Sequence, residues 1–223
     1  MGKFFSVDSP FYRFATRIAD IMILNLLWII CSIPIVTIGA STTAVYYVCL
    51  KMVKDEETYI VKSFFKSFKE NFKQATILWL LFVGISGIMG VNYYYLFKMS
   101  ESENMLLKGL TILVTILYVF SFLYAFPLLA RYENRLHKII MNSMMISIRY
   151  LDRTIKIVLM LAALALIGFY SHETLILVLL LGVGILCYVI TSFVLKIFED
   201  LERQRAEWEE KNAIILEEIG KED

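Results

Sequence analysis

The residues of this 223-residue chain best suited to metal binding or nucleophilic chemistry are its 2 histidines and 3 cysteines. Their placement does not suit that work. Cys31, Cys49 and Cys187 lie far apart in apolar stretches with no histidine nearby, as small buried hydrophobes do. His137 and His172 are expected on opposite sides of a membrane, and His172 with Glu173 reads as a polar turn. There is no Gly-x-x-x-x-Gly-Lys-Ser/Thr phosphate loop and no His-Glu-x-x-His pair, and the separated parts make no Ser-His-Asp set. The expectation is therefore no catalytic, metal-binding or cofactor-binding residue, no cofactor and no enzyme. Two polar residues within the first apolar run, Asp20 and Asn25, remain as candidate intramembrane sites. Proton or ion coupling would use them. The structural alternative pairs Asp20 with Arg17, one helical turn away, near the end of the run.

The elements that hold these residues follow from composition. Hydrophobic residues make up 59% of the chain, and the mean hydropathy is +0.67. A soluble domain is about 45–50% apolar. The surplus calls for lipid as solvent, hence an all-α integral membrane protein. The start "MGKFFSVDSPFYRF" lacks a signal-peptide pattern; "MGKFFS" loosely fits a myristoylation site, of little use to a chain with several spans.

Apolar runs at residues 75–97, 106–130, 155–170 and 174–196 are each taken as a crossing. The run 18–50 is too long for one span and short for two. Lysines 51, 54, 62, 66, 69 and 73 crowd one connection. Arginines and lysines 131, 135, 138, 149, 153 and 156 crowd another. The positive-inside rule places both in the cytoplasm. Lys3, Arg13 and Arg17 draw the N-terminus to the same side. The segment "SIPIVTIGASTTAVYY", residues 32–47, is then expected as the extracytoplasmic tip and returning leg of a hairpin, bent at Pro34, with legs 10–33 and 35–53. Six crossings with both termini cytoplasmic follow, and five crossings are the alternative. Residues 1–196 form the membrane domain and 197–223 a charged helical tail.

Interaction surfaces are sought on the basic side. "VKSFFKSFKENFKQ" places Val61, Phe64, Phe65, Phe68 and Phe72 on one helical face and Lys62, Lys66, Lys69 and Lys73 on the other, the pattern of a helix lying in the membrane interface or docking a partner. In "NRLHKIIMNSMMISIRYL", Leu136, Ile140, Met144, Ile148 and Leu151 oppose Arg135, Lys138, Asn142 and Arg149. The tail spaces Phe198, Leu201, Arg205, Trp208, Asn212, Ile215 and Ile219 by three and four, a broken heptad. Its acidic surplus could fold against the basic connections. Gly84, Gly87 and Gly90, and likewise Gly39, Ala40, Thr43 and Ala44, offer small faces for helix packing. Pro127 marks a kink or helix end. Tyr93, Tyr94 and Tyr95 suit an interfacial aromatic belt, with sugar stacking as the alternative.

"NLLWIICSIPIVTIGASTTAVYYVCLKMVKDEE", "SFFKSFKENFKQAT" and "FPLLARYENRL" together resemble the YesL-like family of bacterial multipass membrane proteins, over residues 11 to 198. That resemblance assigns no activity and no site residues. It implies residence in the bacterial cytoplasmic membrane and an accessory role beside carbohydrate ABC uptake systems, with a sugar permease or another membrane protein as partner besides the lipid bilayer. No nucleic-acid partner is expected. An independent small transporter, its path lined by Asp20, Asn25 and Asn92, and a membrane-bound regulator with the tail as output are the competing readings.

Overall fold

The computed structural model describes residues 10–56, 59–98, 105–132, 134–170 and 182–219. The described residues form helices and no strand: α1 (Pro10–Ser32), a 3-10 turn (Ile35–Thr37), α2 (Ile38–Val53), α3 (Ile60–Lys98), α4 (Met105–Arg131), α5 (Leu136–Arg149), α6 (Leu151–Tyr170) and α7 (Val183–Ile219). Four helical stretches among them are long and apolar enough to cross a membrane: Phe11–Ser32, Ile35–Val53, Ile60–Leu96 and Met105–Arg131. The fifth expected run forms α6. The start of the sixth, with His172 and Glu173, lies outside the described residues.

Helix α2 is the hub. Its small residues Gly39, Ala40, Ser41, Thr43 and Ala44 are all buried, and it packs against α1, α3, α4 and α7. The bend before it falls where Pro34 denies a backbone donor. The Thr37 hydroxyl donates to the carbonyls of Cys31 and Pro34, both at 2.6 Å. Trp28 Nε1 donates to Thr42 Oγ1 at 3.1 Å, tying the two legs together. At the other end, Arg17 bonds the Met52 carbonyl and the Asp55 carboxylate.

The tip of this hairpin packs against the start of the 75–97 run. A Cβ on Gly39 would stand 2.4 Å from the Ala75 carbonyl oxygen and 2.6 Å from Trp79 Cβ. Trp79 Nε1 donates to the Ile35 carbonyl at 3.0 Å. The tip and the start of the 75–97 run were expected on opposite bilayer faces, yet they touch. The absent side chain at Gly39 makes that approach possible, as its place on a small face suggests, but the partner helix is not legible in the sequence.

Helix α3 is 39 residues long, about 58 Å at 1.5 Å per residue. The stretch "VKSFFKSFKENFKQ" is its first part rather than a separate in-plane helix, since no proline interrupts residues 60–98. The second half pairs with α4. Asn92 Nδ2 donates to Thr111 Oγ1 at 3.2 Å, the Tyr93 and Thr115 hydroxyls bond at 2.7 Å, and those of Ser86 and Tyr118 at 2.6 Å. Gly84, Gly87 and Gly90 take no part: nothing lies within 4 Å of a Cβ built on any of them. The expected packing role is met at Gly39 and not at these three, and Gly184 packs closely as well. The latter closes on Ile21, whose Cγ2 would lie 2.9 Å from an added Cβ. Pro127 sits inside α4, which continues to Arg131.

Candidate interaction site at the charged end of the bundle

Three elements meet where the tail leaves the bundle: the end of α4, the α5–α6 corner and α7. Helix α7 runs unbroken for 37 residues. The expected domain boundary at 196/197 therefore falls mid-helix, and the next two residues, Ile197 and Phe198, are fully buried. Arg131 Nη2 donates to both oxygens of Glu202, at 2.8 and 2.9 Å, and the Tyr132 hydroxyl donates to Glu202 Oε1 at 2.8 Å. Arg153 Nη2 donates to Asp200 Oδ2 at 2.9 Å, and Arg149 bonds Gln204. The Arg131 guanidinium also lies over the Phe198 ring, 5.2 Å from its centroid, and Arg153 lies over Tyr150 at the same distance.

The electrostatics follow from this geometry. Burial pushes the Tyr132 hydroxyl up to about 12, with its hydrogen bond to Glu202 adding to the rise. For Glu202, burial favours the neutral acid, but the Tyr132 hydroxyl and the Arg131 guanidinium outweigh it and hold the carboxyl below its ordinary value. Tyr150 OH and Arg153 Nη1 are buried without a hydrogen-bond partner among the described residues.

From Arg203 to Ile214 the tail is exposed except for half-buried Asn212. Trp208 is 64% exposed. The other sequence-derived candidates scatter. On α3, Lys62, Lys66, Lys69 and Lys73 face outward. Their aromatic counterparts split: Phe64 is fully buried and stacks on half-buried Phe68 at 6.0 Å, whereas Phe65 and Phe72 stay exposed. On α5, Arg135 and Lys138 are exposed. Its buried face is Ile139, Ser143, Ile146 and Ser147, and the Ser143 hydroxyl meets that of Ser121 at 2.9 Å. The apolar face expected from Met144 and Ile148 is thus rotated: Ile148, Met141 and Met145 point outward.

Asp20 lines a recess of about 500 Å³ with Tyr12, Arg13, Thr16, Arg17 and Glu56 among its walls. Asn25 is fully buried, and its Oδ1 accepts from the Gly184 backbone N–H at 3.2 Å. These two polar residues are not brought together. Pairwise charge counting finds Arg131 and Arg153 as basic loop residues, but their acidic partners lie 71 and 47 positions away, beyond any local spacing rule.

Comparison with known proteins finds two similarities. Residues 21–93 match DUF624, described as a protein of unknown function. The matched stretch takes in the second half of α1, the bend, α2 and α3 as far as Tyr93. The chain is also 24% identical over 144 residues to "Uncharacterized protein YesV" of Bacillus subtilis (strain 168), covering 63% of this chain and 69% of that protein. No solved structure matches. The DUF624 stretch includes the Gly39–Ala75 contact and Asn25. It leaves out the tail cluster.

Proposed function

We propose that this protein is a non-enzymatic membrane component that presents its acidic terminal helix to a protein partner. The YesL-like resemblance suggests a carbohydrate ABC permease as that partner and the bacterial cytoplasmic membrane as the location, with both termini in the cytoplasm. One observation carries the reading: α7 is clamped to the bundle through Glu202 and Asp200, then continues as an exposed helix bearing Trp208. A clamp followed by an exposed amphipathic helix suits recognition by a groove on another protein. The transporter reading draws less support, because Asn25 and Asn92 are engaged in helix–helix bonds.

The test is co-purification in mild detergent from the native membrane. A chain lacking residues 205–223 keeps the clamp and should lose sugar-permease subunits that the full chain retains. Equal recovery of permease with both chains, or with neither, would count against this function.

A further inference from the structure

We propose that the recess between the first turns of α1 and the α2–α3 connection binds an aminoalkyl phosphate, a zwitterion whose primary ammonium and phosphate ester are joined by a short alkyl chain. Asp20 takes the ammonium and Arg13 the phosphate.

The recess comes from the spacing of polar residues on α1. Arg13, Arg17 and Asp20 follow one another by four and three positions and so share one helical face. Met52, Asp55, Glu56 and Ile60 complete the walls. Met52 and Ile60 are buried and give the lining an apolar patch. The cavity of about 500 Å³ is of the size that holds a small molecule.

Its charges are unevenly committed. The spacing suggests an Asp20–Arg17 pair, but Arg17 bonds the Met52 carbonyl and the Asp55 carboxylate instead. Half-buried Asp20 is left with no hydrogen bond or ion pair among the described residues, and so is Arg13. Glu56 has an interaction of its own. A half-buried carboxylate in an apolar run is costly without a counter-charge, and a ligand ammonium supplies one. A guanidinium presents a fork of donors that matches phosphate.

Arg13 and Asp20 lie two turns apart, about 10 Å along the axis. An ammonium–ethyl–phosphate unit with a hydrogen bond at each end fills such a span. A bare cation gains at Asp20 but is repelled by Arg13, and a bare anion meets the reverse. One molecule carrying both charges satisfies both side chains. Phe11 and Phe14 neighbour the recess on α1 and are 61% and 65% exposed. Such rings suit the lipid boundary, where phosphatidylethanolamine headgroups carry this chemistry. Free phosphoethanolamine carries it in solution.

The test is isothermal titration of the full chain in nanodiscs of phosphatidylcholine, whose quaternary ammonium has no N–H to donate to Asp20. Phosphoethanolamine is the probe, with ethanolamine and inorganic phosphate as its two halves. The probe should bind roughly tenfold or more tightly than either half, and Asp20→Asn or Arg13→Gln should each remove that advantage, the worth of a charge-assisted hydrogen bond. Both side chains lack a protein partner, so both variants should keep the unfolding midpoint. Discs containing phosphatidylethanolamine identify the source. Suppressed titration there, with that lipid retained by the native chain and released by the Asp20→Asn variant in native mass spectrometry, assigns the headgroup. Undiminished titration assigns the free molecule. Equal affinity for the three probes, variants that bind as the native chain does, or no binding of phosphoethanolamine together with no retention of phosphatidylethanolamine would each overturn the proposal.

Discussion

Gly39 is the position at which the backbones of α2 and α3 come closest. An added Cβ meets backbone at Ala75 and the stem of Trp79, neither of which can swing aside as a flexible chain end could. Gly39→Ala should therefore lower stability in detergent by roughly 3 kcal/mol, the upper end for overpacking a tight site. Gly87→Ala is the matched control: nothing lies within 4 Å of its Cβ, and alanine is favoured over glycine in a helix by about 1 kcal/mol. It should leave the unfolding midpoint unchanged or slightly raised. Denaturant titration of the two variants side by side checks the pair, and equal losses would refute the contact. From sequence these two glycines look alike, each among small residues in an apolar helix. What separates them is which side of the helix meets a neighbour, and that is a tertiary fact.

The tail clamp belongs to the scale of elements, because it joins α4, the α5–α6 corner and α7. Its pH dependence has a definite sign. Glu202 is held below its ordinary 4.5, so its stabilisation is complete above that value and is lost as pH falls through the lower folded value. Limited proteolysis of the tail should therefore be constant from neutral pH down to about 4.5 and accelerate below it. The Glu202 side chain is half exposed, so salt should also weaken the clamp. At neutral pH, Glu202→Gln should raise the cleavage rate by up to about fivefold, the worth of a solvent-accessible ion pair. A tail cut at the same rate at every pH and salt concentration would exclude the clamp. The helix itself was legible, since α7 continues past the apolar run as the acidic sequence suggests. That this tail would turn back onto basic connections was readable as charge complementarity. The partners were not, because an Arg131–Glu202 pair spans 71 positions.

For the whole molecule, composition and segregated charge were enough to read an all-helical chain with membrane-length apolar helices. Pro34 was enough to locate the bend after α1. Depth was not readable. The positive-inside rule ranks the ends of a segment by side, but it says nothing of how far a hairpin goes in between. The 39-residue α3 hid the answer by joining a basic amphipathic stretch to an apolar one without a break. The organisation of the bundle therefore rests on the hairpin tip lying beside Trp79 rather than beside the far end of α3. Crosslinking tests this directly: Ile35→Cys paired with Trp79→Cys, against Ile35→Cys paired with Lys98→Cys, each with a short bifunctional thiol reagent in native membranes. The account predicts an efficient link to position 79 and none to position 98. A link to 98 without one to 79 would contradict it.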